Sequence, residues 1–169
     1  MKNENSAGKG LESLCDPRWK ASRLGLERTF ELLCLMGNPE RQLKFVHVTG
    51  TNGKTTTTYL VEHIARMAGK KTGVIGTVGT TIGDVHEKSE HTTPESSDLQ
   101  HLFARMRDAK CDCVAMEVSS HALDLCRTWD TRFSVTAFTN LTQDHLDYHH
   151  TFEAYFEAKA LLFSHDYPA

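Results

Sequence analysis

The sequence feature that most constrains the fold is a glycine-containing turn between a short apolar run and a helical segment. Residues 44–49 (KFVHVT) are rich in β-branched and aromatic residues, and residues 55–68 have apolar residues at helical spacing. The turn between them reads TGTNGKTT and occupies residues 49–56. A strand, a glycine-rich turn and a helix in this order open an α/β nucleotide-binding unit, because backbone N–H groups then gather at the positive N-terminus of the helix.

The residues of the turn are suited to phosphate. Lys54 is long enough to reach the β- and γ-phosphates of a nucleotide, and the Thr55 hydroxyl is suited to Mg²⁺. The usual pattern has a glycine six positions before the lysine, where this chain has Val48, so the loop is a shorter variant. An ordinary strand-to-helix turn is the alternative. The residues predicted to bind the nucleotide are Gly50, Thr51, Asn52, Gly53, Lys54, Thr55 and Thr56.

The alternation of apolar runs and helical segments continues along the chain. Apolar runs that alternate with helices are typical of a parallel sheet covered on both faces. We therefore predict an α/β fold with a mostly parallel sheet flanked by helices. Further strands are predicted at residues 72–77, 113–118 and 133–138, an extended stretch through Gly83, and further helices at residues 98–109 and 152–163.

The residues before the first strand form a separate flank. Residues 1–9 are polar and are expected to be disordered. Residues 24–36 have helical spacing and are followed by Gly37-Asn38-Pro39, which ends a helix. We therefore divide the chain into an N-terminal flank, residues 1–43, and a central domain, residues 44–169.

Polar clusters follow three of the predicted strands, at residues 49–55, 117–121 and 140–145. In open parallel sheets, ligands bind beyond the carboxyl ends of the strands. The three clusters are therefore predicted to form a single site at one edge of the sheet.

Composition excludes several classes of function. The chain of 169 residues has a net charge of −3, which provides no general attraction to nucleic acid or to anionic membranes. No apolar run reaches the roughly 20 residues of a membrane span, and the polar start MKNENSAGKG is no signal peptide. We expect a cytoplasmic protein with no nucleic-acid partner and no membrane insertion. The five cysteines lack zinc-knuckle spacing, so reduced thiols are expected.

Four further motifs make the chain resemble the Mur ligase superfamily. With TGTNGKTTT, they match the central ATP-binding domain of these enzymes, and most closely that of the UDP-N-acetylmuramoyl-tripeptide synthetases. The preceding stretch LGLERTFELLCLMGNPERQLKFVHVTGTNGK instead resembles the opening of the folylpolyglutamate synthases, a sister family on the same fold. The four motifs are HTTPES at 91–96, MEVSSHAL at 116–123, FTNLTQDHLDYH at 138–149 and AYFEAKALLF at 154–163.

Two side chains outside the loop are candidate magnesium ligands beside Thr55. Glu117 ends an apolar strand, where a carboxylate is costly unless it is paired or binds a metal; capping of the following helix is the alternative. The resemblance implies that Glu117 binds Mg²⁺ and that His145 binds a second Mg²⁺. It also places Asn140 and Asp144 near the adenine and metal sites. A zinc pair formed by His145 and His149 lacks the Glu-x-x-His context that such sites have.

Lys159 is by composition an exposed helix lysine. The resemblance implies instead that CO₂ converts it to a carbamate, an anion that supports the magnesium site. A carbamate forms only from the neutral amine, which burial favours. The side chains expected to bury it are Phe156, Leu161, Leu162 and Phe163.

The resemblance also implies a substrate and a reaction. The expected contacts to a UDP-muramyl peptide are Thr92, Thr93, Ser119 and Arg127, with loop threonines and a solvated arginine as the alternative. ATP would phosphorylate the substrate carboxylate, and the amine of an amino acid would displace phosphate from the acyl phosphate to form an amide.

The reaction implied by the resemblance has rivals. Members of this family have N- and C-terminal domains that are missing here, so the chain alone is expected to be poorly active or inactive. A folylpolyglutamate synthase-like ligase fits the N-terminal flank, although its loop usually reads Gly-Lys-Gly rather than Gly-Lys-Thr. A non-catalytic ATP-binding fragment is the remaining alternative.

Overall fold

A computed structural model describes residues 36–38, 41–129 and 131–163 of the chain. The chain divides into two units, Met1–Pro39 and Glu40–Ala169, and the strands and helices described below belong to the second. The disorder predicted for residues 1–9 and the helix predicted at residues 24–36 lie outside the described residues, apart from Met36. Both remain predictions, as does the division of the chain at residue 43.

Every strand and helix predicted from residue 44 onward is present, with small shifts at the ends. The described strands are β1 (Lys44–Thr49), β2 (Thr72–Gly76), β3 (Gly79–Ile82), β4 (Val85–Glu87), β5 (Cys113–Glu117) and β6 (Val135–Phe138). The described helices are α1 (Lys54–Met67), α2 (Ser96–Asp108), α3 (Ser120–Asp124), α4 (Leu146–His149) and α5 (Phe152–Ala160), which a 3₁₀ turn, Leu161–Phe163, continues.

The strands form one sheet in the order β4-β3-β2-β5-β1-β6. Strands β2, β5, β1 and β6 are parallel, whereas β3 and β4 are antiparallel to their neighbours. The prediction of a mostly parallel sheet is confirmed. The antiparallel edge was not predicted, and it follows from the two-residue connection between β2 and β3, since a parallel pair needs a crossover of about a dozen residues or more.

The core lies mainly between the sheet and α2. Phe45 of β1 packs on Phe103 of α2 with ring centroids 4.5 Å apart, and both side chains are fully buried. On α1 the apolar spacing predicted the helix correctly, but most of the residues that create the spacing are exposed, and only Val61 among them is partly buried. Leu60, Ile64 and Met67 are 57%, 67% and 73% exposed, whereas Thr58 is buried. None of the described helices is long and apolar enough to cross a membrane.

This topology determines where the polar clusters meet. Because β2, β5, β1 and β6 run in the same direction, their carboxyl ends lie at one edge of the sheet. The loop after β1, the end of β5 and the loop after β6 are therefore neighbours.

Candidate functional site

The loop between β1 and α1 presents a helix N-terminus to a pocket. Gly53 precedes α1 with φ of 80°, a left-handed conformation that glycine adopts without strain. The first bond of the helix runs from the Thr57 N–H to the Gly53 carbonyl at 2.9 Å. The amides of Lys54, Thr55 and Thr56 therefore precede the first helical bond and are available to an anion.

The first half of the loop is held by the segment after β6. The Thr51 N–H donates to the Asn140 carbonyl at 2.9 Å, and the Asn52 N–H donates to Asn140 Oδ1 at 3.0 Å. Asn140 Nδ2 donates in return to the Asn52 carbonyl at 3.1 Å. Asn140 thus lies against the main chain of the loop and holds its shape, while its predicted proximity to adenine stays a prediction. The amides of Thr51 and Asn52 are already used.

Lys54 folds back onto its own loop. Its Nζ donates to the carbonyls of Gly50 at 2.8 Å and Thr51 at 3.0 Å. Burial lowers the pKa of Lys54, and the negative charges of Glu117 and Asp144 act in the opposite direction. An incoming phosphate would have to replace the two carbonyls as partner of this ammonium group.

Glu117 is fully buried at the end of β5 and is held by two threonines. Its Oε2 accepts from Thr55 Oγ1 at 2.9 Å and from Thr77 Oγ1 at 3.1 Å, and its Oε1 accepts from the Thr77 N–H at 3.0 Å. The alternative in which Glu117 caps the following helix is wrong. Ser119 caps α3 instead, because its Oγ accepts from the Ala122 N–H at 3.1 Å.

The pairing of Thr55 with Glu117 fits a magnesium ion. Hydroxyl and carboxylate oxygens are the hard donors that Mg²⁺ prefers, and Mg²⁺ usually completes its shell with water and phosphate. Within residues 36–38, 41–129 and 131–163, no three His, Cys, Asp or Glu side chains converge as they would in a site made by protein alone. The arrangement is thus suited to a phosphate-bound Mg²⁺.

His145 and the predicted substrate residues line the same pocket, which has a volume of about 530 Å³. His145 stands before α4 with φ of 52°, and its Nε2 is 3.5 Å from Asp144 Oδ2. The structure thus brings together most of the loop and all the residues predicted to bind metal or substrate. Several predicted residues are not among those that line the pocket, namely Gly50, Thr56, Asn140, Asp144 and Lys159.

The predicted substrate residues form one connected wall of this pocket. Thr93 is 1% exposed, and its Oγ1 donates to the Glu117 carbonyl and accepts from the Ser119 N–H, each at 3.1 Å. Arg127 donates to the Thr93 carbonyl at 3.1 Å and pairs with Glu95 at 2.6 Å. The hydroxyl of Thr92, 3.0 Å from that of Thr77, continues the wall. Their role as substrate contacts remains a prediction.

Lys159 is buried, so the prediction from composition that it is an exposed helix lysine is wrong. It is 1% exposed, and its Nζ donates to the Gly50 carbonyl at 2.8 Å. Burial and then the charge of Lys54 lower the pKa of Lys159 to about 8. Its Nζ lies 4.6 Å from the centre of the Tyr155 ring.

The side chains expected to bury Lys159 were mostly the wrong ones. Phe156, Phe163 and Leu161 are 49%, 47% and 37% exposed, and only Leu162 among the four is buried. Phe156, Leu161 and Phe163 are substantially exposed to solvent, whereas the Lys159 side chain reaches the Gly50 carbonyl of the loop.

Sequence reasoning missed several residues of the site, namely Thr77, His91, His121 and Tyr155. Thr77 ends a predicted strand, so the rule that parallel strand ends meet at one edge could have found it. The ring of His121 lies 4.9 Å from that of His145, and burial lowers the pKa of His121. His91 and Tyr155 lie within the motifs HTTPES and AYFEAKALLF, but neither residue was assigned a role.

Comparison with known proteins agrees with this geometry. The sequence model of the Mur ligase middle domain matches residues 48–168. A UDP-N-acetylmuramoyl-L-alanyl-D-glutamate–2,6-diaminopimelate ligase of Geobacillus thermodenitrificans (strain NG80-2) is 56% identical over 128 residues, which are 76% of this chain and 26% of that protein. The chain therefore spans about a quarter of the length of this relative.

Two solved structures are similar as well. A structure of a UDP-N-acetylmuramoyl-L-alanyl-D-glutamate–2,6-diaminopimelate ligase has a TM-score of 0.64 at 36% identity, over 72% of this chain and 24% of that one. A mutant of the L. casei FPGS has a TM-score of 0.54 at 19% identity, over 91% of this chain and 45% of that one, a likeness that concerns the fold alone. With residues 48–168 matched by the family model, the chain belongs to the Mur ligase family and contains its middle domain.

Proposed function

We propose that this chain supplies the ATP site of a cytoplasmic ligase that adds an amino acid to UDP-N-acetylmuramoyl-L-alanyl-D-glutamate. One observation carries the proposal: Lys54 and Thr55 at the N-terminus of α1, with the Lys54 ammonium group, meet the buried Glu117 at one pocket. The relative from Geobacillus, named for 2,6-diaminopimelate, supports this substrate class. It favours a muramyl peptide over the folate class that the N-terminal flank suggested.

The reaction would proceed through an acyl phosphate. The substrate carboxylate attacks the γ-phosphate of ATP and ADP leaves; the amine then attacks the acyl carbon, phosphate leaves, and an amide remains. The N-terminus of α1 and Lys54 would bind the phosphates, where charge moves during transfer. When bound between Thr55 and Glu117, Mg²⁺ would neutralise part of that charge. The other substrate-binding parts would come from outside this chain.

The residues around Glu117 would hold the metal-binding carboxylate in place. Thr77 contributes its N–H to Oε1 and its hydroxyl to Oε2. Thr55 can turn its hydroxyl from Glu117 to a metal while Thr77 continues to orient the carboxylate. Such a fixed orientation lowers the reorganisation needed when charge develops.

Lys159 would carry a carbamate in this proposal. The neutral amine attacks the carbon of CO₂, an N–C bond forms, and one proton leaves to solvent. The carbamate nitrogen keeps one N–H, so the bond to the Gly50 carbonyl can persist. The product is an anion beside Lys54, and the two opposite charges would stabilise each other.

Calorimetric titration of MgATP into the purified chain tests the nucleotide site. Lys54→Ala should weaken binding about 10- to 100-fold, the range for loss of a hydrogen bond to a charged group. Lys70→Ala is a matched control, because Lys70 is exposed and does not line the pocket. Equal affinities for wild type and Lys54→Ala, or binding that ignores Mg²⁺, would contradict the proposal.

A further inference from the structure

Tyr155 connects two parts of the site that are far apart in the chain. It is fully buried on α5, one helical turn before Lys159. Its hydroxyl lies 3.0 Å from Thr51 Oγ1 in the phosphate loop, 104 residues away. Its ring lies beside the Lys159 ammonium group, 4.6 Å from ring centre to Nζ. One side chain therefore contacts both the loop and the lysine.

The hydrogen bonds of Thr51 determine which hydroxyl donates. Thr51 Oγ1 donates to the Thr142 carbonyl at 3.0 Å and accepts from the Thr142 N–H at 3.0 Å. A hydroxyl has one donor hydrogen and two lone pairs. The remaining lone pair must receive the proton of Tyr155, so every hydrogen-bonding position of this threonine is used. Burial also raises the pKa of Tyr155, which keeps this donor protonated.

The same stretch of loop is held by Lys159. Lys159 Nζ donates to the Gly50 carbonyl at 2.8 Å, and Lys54 Nζ donates to the same oxygen at 2.8 Å. Helix α5 thus contacts two adjacent loop residues: Lys159 binds the Gly50 carbonyl, and Tyr155 contacts the Thr51 hydroxyl. Neither of these two contacts involves the Lys54 side chain, so neither depends on where the Lys54 ammonium group lies.

We propose that Tyr155 is a positioning residue that fixes the phosphate loop against α5, so that the loop keeps its nucleotide-binding shape while Lys54 moves to the phosphates. This inference rests on the proposed ATP site. Tyr155 touches no substrate in this scheme and acts through Thr51.

A double-mutant cycle with MgATP calorimetry tests the contact. Tyr155→Phe keeps the ring beside Lys159 and removes only the hydroxyl, so affinity should fall about 2- to 10-fold, as for loss of one hydrogen bond. Thr51→Val should reduce affinity at least as much, because it also loses the bonds to Thr142. The double variant should bind as weakly as Thr51→Val alone, since the shared bond is lost only once. Tyr148→Phe, which removes a hydroxyl bonded to Asp124 outside the loop, should bind like wild type.

A spectroscopic readout separates positioning from core packing. Tyrosine is labelled with carbon-13 at Cζ, and the NMR signal that is missing in Tyr155→Phe is assigned to Tyr155. In wild type this signal should shift when MgATP binds. In Thr51→Val the same signal should shift much less. Three results would each overturn the inference: wild-type affinity for MgATP in Tyr155→Phe, a loss in the double variant equal to the product of the two single losses, or a Tyr155 signal that stays unchanged when MgATP is added. If wild type itself binds no MgATP, the proposed ATP site fails and this inference with it.

Discussion

Lys159 should have a far larger neutral fraction near neutral pH than an ordinary lysine. Burial, assisted by the charge of Lys54, lowers its pKa from 10.5 to about 8, although Asp144 acts in the opposite direction. At pH 7.5 the neutral fraction rises from about 0.1% to about 24%, which is roughly a 200-fold gain in the form that reacts with CO₂.

The same shift has a consequence for stability. Between pH 8 and 10.5 the unfolded chain keeps the Lys159 proton that the folded chain has lost, so the unfolded state binds more protons. Stability should therefore rise with pH across this window, and the gain is lost again as pH falls through 8. The total is on the order of 3 kcal/mol, from about 1.4 kcal/mol for each pKa unit.

Carbon-13 NMR with labelled bicarbonate measures the reactive form directly. Wild type with MgATP should show a carbamate resonance that increases as pH rises toward 8. Lys159→Arg keeps a positive charge that cannot be removed in this range, so its spectrum should lack the resonance. Lys70→Ala, on an exposed site, should retain it.

Two outcomes would refute the reasoning about Lys159. A resonance that persists in Lys159→Arg would assign the carbamate to another amine. A well-folded wild type with no resonance, or with a pH midpoint near that of a free lysine, would show that burial does not perturb this amine.

Two further predictions concern residues inside the sheet. A methyl group at Gly76 would overlap the buried carboxylate of Glu117, so Gly76→Ala should weaken MgATP binding by at least about tenfold because overpacking displaces the carboxylate. Gly73 lies in the same strand as Gly76, and a methyl group there would press on Met106 of α2. Gly73→Ala should therefore lower the melting temperature but leave the calorimetric affinity for MgATP unchanged. Equal losses of affinity in Gly73→Ala and Gly76→Ala would contradict this interpretation. His47 is fully buried with no hydrogen-bond partner for either ring nitrogen among the described residues, and burial places its pKa well below 6.5. Below pH 6.5 the unfolded state binds the extra proton, so the free energy of unfolding should fall by about 1.4 kcal/mol for each pH unit. Urea denaturation at several pH values measures this dependence, and His47→Leu should lack the part that His47 causes. If the free energy of unfolding depends on pH equally in wild type and His47→Leu, the assignment to His47 is refuted.

The antiparallel edge shows why local patterns predicted the sheet incompletely. Residues 72–77 and the stretch through Gly83 were expected to be extended, and both are. Their pairing as a hairpin depends on the short connection between β2 and β3, which the pattern of apolar residues does not report. On α1 the spacing of Leu60, Ile64 and Met67 predicted a helix but not its orientation, since these side chains are exposed.

The site was predictable where chemistry is local. Lys54 and Thr55 follow a glycine turn at a helix start, and Glu117 ends an apolar strand, so residue type and position sufficed to group these three side chains at one pocket. Asn140 was expected near adenine, and its contacts to the loop became visible only in three dimensions. The burial of Lys159 was misjudged, because the carbonyl it binds lies 109 residues away.

The amino-acid sequence by itself determined the order of strands and helices, the glycine turn before α1 and the family, because these depend on motifs and on spacing along the chain. Only the tertiary structure decided that Tyr155 donates to Thr51 and that two lysines share the Gly50 carbonyl. Such pairs form across parallel strands and crossover helices, so they depend on sheet order and register. Local propensity carries no information about either, and the pKa of Lys159 is determined by that distant packing.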